Sequence, residues 1–167
     1  MKKYIFSSKK SGKYRKSPTT NKHKVSFSQL VLEIIKSSDI ILEILDARFI
    51  EKTRNADMEK IIKSQAQKII YVLNKADLAK VSEIKQEFDM EKIEPYVWFS
   101  CVTSLGRKRL REMLKVEVSK MKLDRDAQIG VIGYPNTGKT SLINVLARSK
   151  GAGTSPTPGF TKTIQKI

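Results

Sequence analysis

The sequence predicts an α/β fold, a mainly parallel sheet with helices on both faces, in three layers. Three observations predict it. Short apolar runs alternate with amphipathic helical patterns from residue 25 onward. One run, Ile129-Gly130-Val131-Ile132, leads into the loop Gly133-Tyr134-Pro135-Asn136-Thr137-Gly138-Lys139-Thr140, and a helical pattern follows it. Asp46, Asn74, Ser100 and Gly133 all stand at the carboxyl ends of predicted strands. In parallel α/β sheets that edge is where ligands bind.

Bulk properties narrow the class. A chain of 167 residues suits one domain with a modest core. No apolar run approaches the ~20 residues of a membrane helix, so no membrane partner is expected. No apolar segment follows the first lysines, which argues against a secretory signal. The single cysteine, Cys101, rules out an internal disulfide and a cysteine-based zinc site. It suits a reducing compartment, so a cytoplasmic location is expected. Nothing indicates an oligomer. The formal charge of +16 points to a polyanionic partner, of which nucleic acid is the obvious class.

That charge is uneven. Residues 1–24 contain nine Lys and Arg and no acidic residue. They read as a basic, disordered arm ahead of a folded domain over 25–167. Lys9, Lys10, Lys13, Arg15 and Lys16 are candidate RNA contacts, and Tyr4, Phe6 and Tyr14 can stack on exposed bases. The bland alternative is a solvated tail with no ligand. Lysine outnumbers arginine, which disfavours a transit peptide, whereas a nuclear address stays open.

The elements follow in order. Ser26 to Gln29 fits a capping box, and Phe27, Leu30, Val31, Ile34 and Ile35 share one helical face. Residues 40–45 are almost continuously apolar, as in a buried parallel strand, and end in Asp46-Ala47-Arg48. A helix is expected over 54–65, a strand over 68–73, a short helix over about 79–88 and a strand over 96–99. A helix over about 106–121 buries Leu110, Met113, Leu114 and Val118. Its other face carries Arg107, Lys108, Arg111, Lys115 and Lys122, most simply an ordinary solvated face. Then come the strand at 128–132, the glycine-rich loop and its helix to about 148. A Gly/Ser/Thr/Pro-rich loop over 149–161 and a short extended run complete the pattern.

The loop at 133–140 fits G-x-x-x-x-G-K-[ST] with a strand before it and a helix after it, the context of a phosphate-binding loop. Its glycines let successive N–H groups turn toward phosphate oxygens, and the helix start adds partial positive charge. Lys139 would reach the β- and γ-phosphates, and the Thr140 hydroxyl would ligate Mg²⁺. Asn74-Lys75-Ala76-Asp77 has the pattern N-K-x-D. A carboxylate at Asp77 offers two acceptors to the adjacent N1–H and amine of guanine, and adenine lacks both donors. Adenine would leave that carboxylate unpaired, so discrimination should be strong. Asn74 can bridge to the base or brace the phosphate loop, and the Lys75 stem can lie along the purine. The competing reading of Asp77 is a helix cap. A backbone N–H in Ser100-Cys101-Val102 can meet the guanine carbonyl, although Cys101 is equally well a small buried side chain. Thr161, after Pro158-Gly159-Phe160, can close over the γ-phosphate and complete Mg²⁺ ligation, or simply end a Pro-Gly turn.

With N-K-A-D and Ser100-Cys101 placed before the phosphate loop, the chain resembles the circularly permuted GTPases of the YlqF/YawG type, which act in ribosome assembly. The matching stretches are Glu43-Ile44-Leu45-Asp46-Ala47-Arg48, Arg54-Asn55, 74–77, 133–144 and Pro158-Gly159-Phe160-Thr161-Lys162, spread over residues 26–167. The resemblance implies a permuted P-loop sheet and GTP or GDP as ligand. It implies contacts from Asn74, Lys75, Asp77, Ser100, Cys101, Asn136, Thr137, Gly138, Lys139, Thr140 and Ser141. It further implies Lys139 and Thr161 in catalysis, Mg²⁺ on Thr140 and Thr161, and K⁺ near Asn136. The partner it implies is rRNA or a pre-ribosomal particle, with a nuclear or nucleolar address in a eukaryote. Thr137 departs from the small aliphatic residue common there, and Cys101 from alanine. The family continues into a strand ending in D-x-P-G, and no D-x-x-G follows Thr161. The expectation is therefore a sheet incomplete at its C-terminal side, with an open edge beside the phosphate-loop strand, and a partial sequence or a partner that completes it. Two alternatives remain: a non-hydrolysing basic RNA-binding module, and an ATPase or kinase sharing only the phosphate loop, which Asp77 opposes.

Overall fold

The computed structural model describes residues 4–7, 27–147 and 165–166. Four strands form the centre: β2 (Ile40–Asp46), β3 (Lys68–Asn74), β4 (Tyr96–Trp98) and β5 (Ala127–Ile132). They pair in parallel, with Asp46 opposite Asn74, Glu43 opposite Ile132, and Leu73 opposite Trp98. All four carboxyl ends therefore lie on one edge. The sheet order is β4-β3-β2-β5-β1-β6, where β1 is Tyr4–Ser7 and β6 is Gln165–Lys166. Strand β1 runs parallel to β5, and β6 runs antiparallel to β1.

Strand β1 departs from the expectation of a disordered arm over residues 1–24. Tyr4, Ile5 and Phe6 are residues that fit a pleated surface, and they lie in register with Ala127, Gln128 and Ile129. The cations that follow hid this short run from a reading by charge. The expected open edge beside the phosphate-loop strand is corrected by the same finding, because β5 has β2 on one side and β1 on the other. Thr161 and the arm cations at 9–16 lie outside the described residues, so their expected roles have no structural counterpart here.

Alternate strand residues supply two cores. Ile40, Leu42 and Ile44 face one side with Val72, Val97 and Val131, covered by α5 (Arg107–Lys120) through Leu110, Leu114 and Val118 and by α6 (Lys139–Ala147) through Leu142, Ile143 and Leu146. Ile41 and Leu45 face the other with Tyr71 and Leu73, covered by α1 (Phe27–Lys36) through Val31, Ile34 and Ile35. The helix expected over 54–65 is two: α2 (Ile50–Thr53) and α3 (Ala56–Ser64). Asn55 divides them, its Oδ1 accepting the Met58 N–H at 3.1 Å as the cap of α3. The short helix expected near 79–88 is α4 (Val81–Glu87), preceded by a 3₁₀ turn over Ala76–Leu78. No helix among the described residues is long and apolar enough to cross a membrane.

Candidate nucleotide site at the strand ends

The glycine-rich loop leaves β5 at Gly133 and enters α6 at Lys139. Two of its glycines are dictated by space and by backbone angle. Gly133 has φ 147°, and a Cβ there would stand 2.5 Å from the Ile44 carbonyl oxygen. Gly138 has φ 98°, and a Cβ there would collide with Nδ2 of Asn74. Asn136 also adopts a left-handed angle, φ 62°. Thr137 is buried; its Oγ1 donates to the Tyr134 carbonyl at 2.8 Å and ties the loop to itself. The departure from an aliphatic residue at 137 thus supplies an internal bond. The Lys139 ammonium lies within the loop and donates to the carbonyls of Gly133 (2.9 Å) and Tyr134 (2.7 Å). Burial draws its pKa down to about 8.

The N-K-x-D segment meets this loop directly. Asn74 ends β3 and is 3% exposed; its Nδ2 donates to the Thr137 carbonyl at 2.7 Å. Of the two roles open to Asn74, the structure thus displays the brace. The Cys101 thiol donates weakly to Asn74 Oδ1 at 3.5 Å, and burial pushes its pKa up to about 11. An unbroken chain of contacts therefore runs from the loop after β4, through Asn74, into the phosphate-binding loop. Lys75 has φ 63°, which turns the backbone so that Asp77 lands in the exposed 3₁₀ turn. Ser100 is fully buried, and its Oγ accepts the N–H groups of Val102 (3.2 Å) and Thr103 (3.1 Å). That side chain shapes its own loop.

Sequence reasoning placed Asp46 at a strand end without a role. Its carboxylate is 5% exposed and accepts from Arg48 Nε (2.9 Å), Arg48 Nη2 (2.8 Å) and Lys75 Nζ (2.8 Å). The Arg48 guanidinium, with Lys75 beside it, holds Asp46 well below the usual carboxylate range. Asp46 thus fixes the lysine of N-K-x-D by an ion pair across β2 and β3. Glu43 has a parallel task on the other face of the sheet. Its Oε1 accepts the Asn55 N–H at 3.0 Å, anchoring the cap of α3, and Arg54 pairs with Glu59 through two hydrogen bonds. The sequence shows acids inside or ending an apolar run, with Arg48 and Arg54-Asn55 close behind, but the pairings themselves depend on contacts between separate elements.

Chemically, the arrangement offers an anion cradle with a half-buried cation, and the exposed Asp77 carboxylate stands on the 3₁₀ turn that follows Lys75. Among the described residues no group of three or more His, Cys, Asp or Glu could hold a metal unaided. A threonine hydroxyl at the helix start suits Mg²⁺, which keeps waters and binds largely through substrate phosphates.

Comparisons with known proteins agree with this geometry. Residues 128–167 match the family described as 50S ribosome-binding GTPase. The chain is 42% identical over 144 residues to the "Uncharacterized GTP-binding protein MJ1464" of Methanocaldococcus jannaschii, covering 86% of this chain and 38% of that protein. It is 37% identical to "Nucleolar GTP-binding protein 2" of Saccharomyces cerevisiae, covering 81% and 29%, respectively. It is 31% identical to "Nuclear GTP-binding protein NUG1" of the same yeast, covering 87% and 32%. The chain therefore spans less than half the length of these relatives. Among solved structures, the GDP-bound structure of TM YlqF superposes with a TM-score of 0.51 at 24% identity, covering 72% of this chain and 48% of that one. Base motif before phosphate loop and a parallel sheet joining them give the chain a P-loop GTPase-like α/β fold, and its sequence is similar to GTP-binding proteins.

Proposed function

We propose that this domain binds GTP and GDP at the strand-end site and serves, as a GTPase, in ribosome assembly through contact with rRNA or a pre-ribosomal particle. The observation that carries the nucleotide reading is the Asn74–Thr137 hydrogen bond, which couples the N-K-x-D segment to the phosphate-binding loop. In this reading Asp77 and Lys75 hold guanine, with the loop at Ser100 and Cys101 beside it. Backbone N–H groups from Asn136 to Ser141 and the Lys139 ammonium hold the phosphates. Bound phosphate replaces the Gly133 and Tyr134 carbonyls as the partner of Lys139. Mg²⁺ would be held by the phosphates, the Thr140 hydroxyl and Thr161, and K⁺ by Asn136. The ribosomal role rests on the 50S ribosome-binding GTPase family matched at residues 128–167, on the likeness to nucleolar GTP-binding proteins and on the +16 charge. Cytoplasm is the proposed location, or the nucleolus in a eukaryote.

The test combines turnover with partner binding. Purified protein should release phosphate from GTP with Mg²⁺, faster with K⁺ than with Na⁺, and Lys139→Ala should abolish both nucleotide binding and turnover. Co-sedimentation with pre-ribosomal particles should be stronger with a non-hydrolysable GTP analogue than with GDP. RNA binding that persists without turnover or nucleotide dependence would favour the non-hydrolysing module. Equal rates in K⁺ and Na⁺ would remove the proposed role of Asn136.

A further inference from the structure

The turn after β2 gathers four hydrogen bonds on one carboxylate. Asp46 Oδ1 accepts the Arg48 N–H at 3.1 Å and Arg48 Nε at 2.9 Å. Its Oδ2 accepts Arg48 Nη2 at 2.8 Å and Lys75 Nζ at 2.8 Å. A carboxylate has about four acceptor sites, so this one is filled. Arg48 supplies three of the four donors. Its guanidinium is seated in turn on the Phe49 ring, with Cζ 5.3 Å from the centroid. Phe49 is half exposed and belongs to neither core. The charge of Asp77 also reaches Arg48, behind the larger effect of Asp46.

We propose that Arg48 is a positioning residue for guanine recognition: its fork fixes the plane of the Asp46 carboxylate, and Asp46 in turn holds Lys75 in place for the purine. The proposal rests on the guanine-nucleotide reading of the site and adds a residue to it. A lysine alone on Asp46 is a point charge on a flexible stem, free to turn about the carboxylate. Two guanidinium nitrogens on two oxygens set the carboxylate plane, which leaves one acceptor direction on Oδ2 for Lys75. Lys75 has φ 63° and leads into the turn that bears Asp77, so its side chain and that turn leave from one fixed point. A purely local role, closing the end of β2, needs only the Arg48 N–H on Oδ1. The guanidinium goes beyond that, because it shares an oxygen with the lysine that follows a separate strand, β3.

Release of GDP carrying a methylanthraniloyl fluorophore measures the effect in the full protein. Arg48→Ala should release it about tenfold faster than the wild type, the size expected for one charge-assisted contact. Lys75→Ala should accelerate release similarly, and the double variant Arg48→Ala, Lys75→Ala should go no further than the faster single variant. A tie that merely stabilised the end of β2 would not produce that coupling, since it would act with or without Lys75. Arg48→Lys keeps a cation near Phe49 but has no fork, so it should release GDP nearly as fast as Arg48→Ala. This variant decides the matter where Arg48→Ala fails to fold. A wild-type rate in Arg48→Lys, additive acceleration in the double variant, or unchanged release from folded Arg48→Ala would overturn the proposal and leave GDP binding itself standing. If the wild-type protein bound no GDP, the guanine reading and the proposal would fail together.

Discussion

Asn74, Gly138 and Lys139 form a mutually dependent group at the residue scale. Asn74 reaches Thr137 only because residue 138 lacks a side chain, and Lys139 is held by carbonyls of the loop that Asn74 braces. Gly138→Ala should therefore cost about 1–3 kcal/mol of local strain or displace Asn74. Isothermal titration should show GDP affinity lower by about tenfold or more, since about 1.4 kcal/mol is tenfold. Lys139 yields a pH prediction. Burial sets its pKa at about 8, whereas phosphate binding requires the ammonium. Below pH 8 the proton is already in place. Above it, binding must take up a proton, so affinity should fall by up to about tenfold per pH unit until the raised pKa of the bound state is passed. GDP titrations from pH 7 to above pH 8, with Lys139→Ala as the control lacking this step, check it.

Among the elements, β2 carries the most information, with Glu43 inward on one face and Asp46 at its end. Glu43 is 1% exposed, and desolvation raises its pKa to about 8, with the Asn55 N–H opposing and the Glu59 charge assisting. The folded state therefore keeps a proton that the unfolded chain releases near pH 4.5. Its contribution is fully present below pH 4.5 and is lost as pH rises through 8. Denaturant unfolding should show stability declining across that window, by at most about 5 kcal/mol from this group. Glu43→Gln should flatten the decline. Asp46 has the opposite sign: its lowered pKa contributes stability above about pH 4, lost on further acidification.

These elements also show what was legible in the sequence. The strands at 40–46, 68–74 and 127–132 were readable because each is a compact apolar run ending in a polar residue. The break between α2 and α3 was not, because it depends on Asn55 meeting Glu43 twelve residues away, a contact no periodicity reveals. The ion pair between Asp46 and Lys75 was hidden likewise, since register across two strands creates it.

At the scale of the whole molecule, the sheet gathers the candidate nucleotide-site residues at its carboxyl edge. That gathering was legible because the motifs are local and each follows an apolar run. The place of Tyr4–Ser7 beside β5 was not, because four residues within a cationic stretch carry too little pattern to outweigh composition. The charge remains a prediction about partners. If about five cations of the arm meet RNA phosphates, log affinity against log salt should have a slope of roughly −3.5 to −4.5. Filter-binding across a salt series tests that, and a flat response would contradict electrostatic RNA contact.

The central claim is that Asp77, exposed on the turn set by Lys75, selects guanine for a phosphate cradle assembled from a separate part of the chain. Its most direct test is equilibrium titration of GTP, ATP and XTP against the wild-type protein and Asp77→Asn. The account predicts tight GTP binding and negligible ATP binding by the wild type, with preference transferred from GTP to XTP in the variant. Unchanged GTP affinity in Asp77→Asn, or ATP binding equal to GTP in the wild type, would contradict it.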